Sequence, residues 1–151
     1  MKLTFGATVQ KAGRRVGRVA GFELEPAERR IRRVVYSGDG ELGPQVLSHP
    51  VPAIASVAPN GDVELQTELD IAPMPAVRDV VLLSRATRIE RGGRVVGRLT
   101  GIDVDQADRR LVSVSGRSHW WSRTTTFPAS DLDCSTPGVL RSASPPGSRA
   151  A

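Results

Sequence analysis

The chain has 151 residues, of which 39% are hydrophobic, and a formal net charge of +5. Its longest run of bulky apolar residues, at positions 80–83, is far shorter than the roughly 20 residues of a membrane-spanning helix, so the sequence excludes such a span. The single cysteine excludes a disulfide within the chain and a metal site built from four cysteines.

An internal repeat is the most informative feature of the sequence. Residues 13–30 return without a gap as residues 93–110, with most substitutions conservative. Such a repeat indicates two copies of one structural unit. Units this small bury little core alone, so we expect them to pack against each other. The predicted organisation is unit 1 at 1–70, a linker at 71–80, unit 2 at 81–140 and a disordered tail at 141–151.

Each unit is predicted to begin with a short strand, a tight turn and a long β-hairpin. The first strands are expected at residues 7–11 and 86–91, followed by turns at Ala12-Gly13 and Gly92-Gly93. In the hairpins that follow, β-branched and aromatic residues alternate with charged ones. This alternation is typical of half-buried strands and does not fit a helix.

The remainder of each unit is predicted to hold a variable loop and further short strands. The loops are expected at 38–44 and 116–123, and the last strands at 63–65 and 139–140. Five or six short strands without a helix indicate an all-β fold. We predict a small barrel in each unit, because closure or packing against the other unit protects the strand edges.

Glycines recur at equivalent positions of both hairpins. Within a strand, glycine usually marks a bulge or a close approach of another backbone. A regular strand would place Arg18 on the same side as Phe22 and therefore in the core. We predict a bulge near Gly21, and likewise near Gly101, that turns Arg18 and Arg98 outward.

The motifs also follow an order found in a known family. Residues 5–9 read apolar-Gly-x-x-Val, residues 13–19 and 93–99 read Gly-x-x-Val-Gly-x-apolar, and an apolar residue followed by proline precedes the last strands. This order resembles the PRC-barrel family, which includes the barrels of the photosynthetic reaction-centre H subunit and of the ribosome maturation factor RimM. The resemblance covers nearly all of 1–70 and 81–140. It implies tandem non-catalytic barrels that dock on larger partners, while the specific roles of those two members do not transfer.

Arginines concentrated in unit 1 form a candidate binding surface. One interpretation is a basic ridge for RNA or an acidic protein. The other is ion pairing across strands and turns with the neighbouring glutamates. Few aromatic residues accompany these arginines, so base stacking there would be poor. The ridge candidates are Arg14, Arg15, Arg29, Arg30, Arg32 and Arg33.

The second candidate site lies in the variable loop of unit 2. Trp120 and Trp121 are the only tryptophans of the chain. Since adjacent residues of a strand point to opposite sides, both rings cannot easily be core. Either one ring covers the contact between the units or a barrel end, or the pair is an exposed anchor for a partner, because Trp and Arg dominate interface hot spots. The candidate partner-binding residues are Arg117, His119, Trp120, Trp121 and Arg123.

Other patterns point to no chemistry. The sequence G-x-G-x-x-G at 38–43 follows a predicted strand, but Pro44 and later prolines argue against the helix that a dinucleotide site needs. Cys134 close to His119 in space could suggest a nucleophile, but no sequence context supports that interpretation. The two histidines stand apart from other potential ligands. We therefore predict no catalytic residue, no cofactor and no metal.

Taken together, these patterns predict a cytoplasmic bacterial protein that is not an enzyme. The cytoplasmic location is expected because the N-terminal residues show no signal-peptide pattern. We predict an adaptor or scaffold that binds another macromolecule, with a protein as the first choice of partner. The alternative is a factor associated with RNA processing or ribosome assembly. Self-association is left open.

Overall fold

The computed structural model describes residues 1–51, 54–66 and 79–143, and their regular structure consists of strands and short 3-10 turns, with no α-helix. The all-β prediction is thus confirmed for this part of the chain. The strands are β1 (Lys2–Thr4), β2 (Thr8–Lys11), β3 (Arg14–Glu25), β4 (Arg30–Ser37), β5 (Leu47–Pro50), β6 (Ile54–Val57), β7 (Val63–Leu65), β8 (Val81–Leu83), β9 (Arg88–Arg91), β10 (Arg94–Val104), β11 (Leu111–Arg117), β12 (Thr125–Pro128), β13 (Leu132–Asp133) and β14 (Val139–Ser142).

The described strands form two seven-stranded sheets of the same topology. In the first, the strands of the N-terminal half pair in the order β5-β4-β3-β2-β7-β6, and in the second the order is β12-β11-β10-β9-β14-β13. Adjacent strands are antiparallel except β2 with β7 and β9 with β14, which are parallel. The two sheets form barrel-like units, and one is curled into a half-barrel. The predicted pair of small barrels is therefore present.

The seventh strand of each sheet comes from the other half of the chain. Strand β1 pairs with the end of β10, with Leu3 opposite Ile102. Reciprocally, β8 pairs with the end of β3, with Leu83 opposite Phe22. All four side chains are buried. The predicted packing of the two units is thus an exchange of strands, and neither β1 nor β8 was predicted from the sequence.

A second pair of contacts joins the tips of the two long hairpins. The Ile31 N–H donates to the Arg109 carbonyl at 3.0 Å, and the Leu111 N–H donates to the Arg29 carbonyl at 2.7 Å. Ile31 and Leu111 are equivalent residues of the two repeats and both donate, while the equivalent Arg29 and Arg109 both accept. The contact between the halves therefore has approximate twofold symmetry.

Bulges interrupt both long strands where the sequence predicted them. The register shifts between Val19 and Gly21 in β3, and between Leu99 and Gly101 in β10. Beyond the bulge, Arg98 is exposed, whereas Arg18 is half-buried and donates from Nη1 to the Gly6 carbonyl at 3.0 Å. The predicted bulges are confirmed, and the outward turn is complete only for Arg98.

The glycines at these bulges face the exchanged strands. A Cβ on Gly21 would lie 2.9 Å from the Leu83 carbonyl oxygen, and a Cβ on Gly101 would lie 2.7 Å from the Leu3 carbonyl oxygen. Carbon and oxygen do not approach this closely without displacement. Both glycines are therefore required by the strand from the other half.

One hydrophobic cluster contains buried residues from both halves, among them Phe22 and Val34 from the first and Val114 and Phe127 from the second. The division of the chain at 70 and 81 stays a prediction. Most of the predicted linker and most of the predicted tail lie outside the described residues.

Candidate docking site on the aromatic loop

The loop between β11 and β12 is closed by its own serines. The Ser122 N–H and the Ser122 hydroxyl both donate to the His119 carbonyl, at 3.1 and 2.7 Å. The His119 N–H donates to Ser122 Oγ at 3.1 Å, and the Ser118 hydroxyl lies 3.2 Å from the Ser122 hydroxyl. Serine favours such local bonds to the backbone, which here form a tight turn at the surface. We call residues 117–123 the aromatic loop.

Three aromatic side chains form a cluster at the tip of this loop. Trp120 is 83% exposed and Trp121 is 67% exposed. The His119 ring stacks on Trp121 with centroids 4.6 Å and planes 5° apart, and Trp120 meets Trp121 edge-on at 5.5 Å. Both arrangements are favourable for aromatic pairs. The rings are thus held against each other while most of their area faces solvent.

This exposure decides between the two positions that the sequence allowed. Neither tryptophan covers the contact between the halves or the end of a barrel, because both rings lie in solvent. The pair lies at the surface, which is the position that the anchor hypothesis requires. Partner binding by Trp120 and Trp121 remains a prediction.

Two arginines flank the aromatic cluster. Arg117 Nε donates to Thr124 Oγ1 at 2.9 Å, which ties the two ends of the loop together. Arg123 is exposed. Within the described ranges, no carboxylate forms an ion pair with either guanidinium. The loop therefore carries net positive charge beside its aromatic rings.

A row of arginines crosses the second sheet and ends at the aromatic loop. The register places Arg88 of β9 opposite Arg98 of β10, and Arg98 opposite Arg117 of β11. Residues directly opposite in neighbouring strands share a face. All three are exposed, while the adjacent Ile89 and Leu99 are buried, so the row lies on the outer face. We call Arg88, Arg98 and Arg117 the arginine row.

Sequence reasoning missed this row because it depends on the register of three strands. The spacing between Arg88, Arg98 and Arg117 carries no local signal, and the β10 bulge shifts the pairing beside them. The internal repeat did contain a signal. The positions of the first half that correspond to Arg88, Arg98 and Arg117 are Thr8, Arg18 and Ser37. A comparison of those positions would have shown an added pair of charges in the second half.

The ridge candidates of the first half lie at opposite ends of β3. Arg14 and Arg15 are exposed at its start, where Arg15 Nη2 donates to the Gly38 carbonyl at 2.9 Å. At the other end of β3, Glu25 pairs in register with Arg30 of β4. The usual rise per residue places Glu25 roughly 30 Å from the start of β3. These arginines are not brought into a single cluster.

The remaining ridge candidates have partners within the fold. Arg30 forms an ion pair with Glu28 at 3.0 Å, Arg32 forms one with Glu25, and Arg33 lies 3.9 Å from Glu23. Arg29 donates to the Ala129 carbonyl of the other half. Ion pairing, one of the two interpretations drawn from the sequence, thus describes the contacts of Arg30, Arg32 and Arg33.

The glycine-rich loop after β4 lines an open cavity of about 460 Å³. Its backbone turns at Asp39, whose carboxylate accepts from the Glu41 N–H at 3.0 Å and the Ser37 hydroxyl at 3.1 Å. These two bonds hold the pKa of Asp39 below its usual value. Bends and turns follow Gly43 where a dinucleotide site would have a helix, as the prolines predicted.

Cys134 is buried and stands apart from the aromatic loop. Its Sγ lies 3.9 Å from the Leu132 carbonyl. Burial raises the pKa of the Cys134 thiol, with a smaller opposing effect of Arg29 and a raising effect of Asp133. A raised pKa disfavours the nucleophilic thiolate. His119 stacks on Trp121 in solvent and makes no described contact with Cys134.

No protein-family model matches the chain, and no curated protein matches it. Within residues 1–51, 54–66 and 79–143, three or more His, Cys, Asp or Glu side chains nowhere converge as metal ligands would. Over the same residues, no helix has the length and apolar character to cross a membrane.

Proposed function

We propose that this protein is a non-catalytic adaptor of the PRC-barrel type that docks on another macromolecule through its aromatic loop. The observation that carries the proposal is the exposure of Trp120 and Trp121 in a loop whose counterpart in the first half, residues 38–44, has no aromatic residue. Large exposed aromatic rings beside arginines are the residue types that contribute most to macromolecular interfaces. A cytoplasmic bacterial location belongs to the same proposal.

The barrels support this role as a rigid base. The aromatic loop begins at Arg117, the last residue of β11, and ends just before β12. These strands pair along four positions, from Ser113 with Pro128 to Gly116 with Thr125. A short loop fixed at both ends by a ladder loses little conformational freedom on binding, which favours affinity.

A docking assay with two matched variants tests the proposal. The immobilised protein is exposed to a cytoplasmic extract, and retained protein and nucleic acid are measured with and without ribonuclease. We expect the double variant Trp120→Ala/Trp121→Ala to lose at least tenfold of the retained material. The control is Leu47→Ala/Val95→Ala, which truncates side chains that are 57% and 53% exposed elsewhere on the surface.

The two outcomes of this assay are distinct. Loss with the tryptophan variant alone supports docking through the aromatic loop. Equal retention by the wild type and the tryptophan variant contradicts the proposal. The ribonuclease arm reports the class of the partner, because a complex held by RNA is released by the enzyme and a protein complex is not.

A further inference from the structure

We propose that the arginine row and the aromatic cluster together form a binding site for single-stranded nucleic acid. The phosphates would lie along Arg88, Arg98 and Arg117, and bases would stack on Trp120 and Trp121. This inference rests on the proposed function, since it names the partner that the aromatic loop would take.

The geometry of the row fits a linear polyanion. Residues directly opposite in an antiparallel pair have Cα atoms about 4.5–5.5 Å apart, so the row spans about 10 Å across β9, β10 and β11. Its last member, Arg117, is bonded to Thr124 at the base of the aromatic loop. A strand of nucleic acid following the row would therefore reach the tryptophans.

The charge of the row is uncompensated within the described residues. Arg88, Arg98 and Arg117 take part in none of the ion pairs there, and Glu90, two residues along β9, is paired with Arg141 at 3.6 Å. Like charges directly opposite each other destabilise a sheet. A bound polyanion would reverse this repulsion and release counterions from its phosphates.

The surroundings of the tryptophans favour bases over an apolar protein surface. Protein hot spots usually lie in packed surfaces that exclude water. Around this cluster the exposed residues are Ser118, Arg123 and residues 124–126, which are threonines. Trp120 and Trp121 are the only large exposed hydrophobic residues in the loop. Isolated aromatic rings beside a basic track are the features that bind single strands with little sequence preference.

The first half shows that the fold does not need the row. At the equivalent positions it has Thr8, Arg18 and Ser37. There the single guanidinium donates to the Gly6 carbonyl, and the Ser37 hydroxyl lies 2.8 Å from the Glu41 carbonyl oxygen. The same barrel is thus built without three exposed arginines, which separates their role from folding.

Intrinsic fluorescence gives a direct test. Trp120 and Trp121 are the only tryptophans, so emission excited at a wavelength that Tyr36 does not absorb reports on the aromatic loop alone. We expect single-stranded oligouridylate or oligothymidylate of about 12 nucleotides to quench this emission to saturation through stacking. The logarithm of the association constant should fall with the logarithm of the salt concentration with a slope of roughly −2, for three phosphate contacts. A duplex should bind more weakly because its bases are already stacked.

Variants taken from the first half isolate the row. Arg88→Thr/Arg117→Ser places the first half's residues in the second, and we expect at least tenfold weaker binding and a salt slope reduced by about 1.4. The control Arg94→Ser/Arg110→Thr removes the same charge from exposed positions at the start of β10 and just before β11, and should change binding less than twofold. Thermal unfolding of each variant verifies that it is folded.

Three results would overturn the inference: no quenching at about 0.1 M salt, equal weakening by both double arginine variants, or equal affinity for polyglutamate of matched charge. The last would identify an acidic protein as the partner.

If oligonucleotides do not bind while Trp120→Ala/Trp121→Ala still abolishes docking in extract, only this inference fails. If neither assay responds to the tryptophans, the proposed function fails as well.

Discussion

At the scale of single residues, the turns that follow β2 and β9 differ in one position. Both are two-residue turns with positive φ at each residue, Ala12 at 52° and Gly13 at 73°, and Gly92 at 58° and Gly93 at 77°. This conformation matches the twist of a hairpin but places an alanine Cβ against the backbone. The first turn therefore carries strain that the second avoids.

Replacing Ala12 should relieve that strain. Asparagine tolerates the left-handed conformation, so we expect Ala12→Asn to raise the free energy of unfolding by about 0.5–1 kcal/mol. The converse change, Gly92→Ala, should lower it by about 1 kcal/mol. Urea denaturation measures both, and a shift of the same sign in the two variants would show that turn strain is not the cause.

A second residue-scale feature is the pair formed by Tyr36 and His49. The Tyr36 hydroxyl lies 3.0 Å from His49 Nδ1, and the two rings stack at 5.4 Å. Burial lowers the pKa of His49 from its usual 6.5, and the positive charges of Lys11 and Arg33 lower it further. The folded protein therefore favours neutral His49.

Stability should consequently decline in mild acid. Above pH 6.5, His49 is neutral in both the folded and the unfolded chain and contributes no pH dependence. Below that pH the unfolded chain binds the proton first, so the free energy of unfolding falls until the folded form is also protonated. We expect a lower melting temperature at pH 5.5 than at pH 7.5. His49→Gln should flatten this decline.

At the scale of elements, the exchanged strands explain why glycines recur in β3 and β10. Each of the long strands pairs on one edge with two short strands, and the bulge lies between them. Gly21 and Gly101 leave room for the backbone of β8 and β1. The repeated glycines thus mark the positions where one half accepts a strand from the other.

Adding a methyl group at these positions should weaken the exchange. We expect Gly21→Ala and Gly101→Ala each to destabilise the fold by about 1–3 kcal/mol through overpacking against a carbonyl. Gly38→Ala is the control, because no atom lies within 4 Å of a Cβ there. Calorimetry would contradict this explanation if all three variants melted at the same temperature as the wild type.

The sequence predicted the elements that depend on neighbouring residues and missed those that depend on distant ones. Alternation and turn residues predicted the hairpins, and β7 was predicted with its observed bounds. Strands β1 and β8 have three residues each and pair with partners that are distant in the chain, so no local pattern marks them. The same distinction applies to the candidate site. The sequence identified the tryptophans directly, whereas the arginine row depends on the register of three strands and was not predicted.

At the scale of the whole molecule, the halves share one core. Strand exchange and a common hydrophobic cluster mean that neither half completes its sheet alone. Val34 and Val114 occupy equivalent buried positions on β4 and β11. Loss of packing in either half therefore removes support from the other.

Thermal unfolding should accordingly be a single cooperative transition. We expect Val34→Ala and Val114→Ala each to cost about 2–3 kcal/mol, as truncation of a buried aliphatic side chain does. Each variant should move the whole calorimetric peak, with equal calorimetric and van't Hoff enthalpies. A second peak that appears in one variant and belongs to one half would contradict a shared core.

The reciprocal contact of the halves also bears on the stoichiometry of the proposed binding. When a residue of one half contacts a residue of the other half, the two equivalent residues make the same contact with the halves exchanged. Two identical subunits related by a twofold axis contact each other in this way. A true dimer of such subunits would present every surface twice. Here the covalent connection preserves the pairing, while only one half carries the aromatic loop and the arginine row. We therefore expect the proposed binding at that site to have a stoichiometry of one ligand per chain.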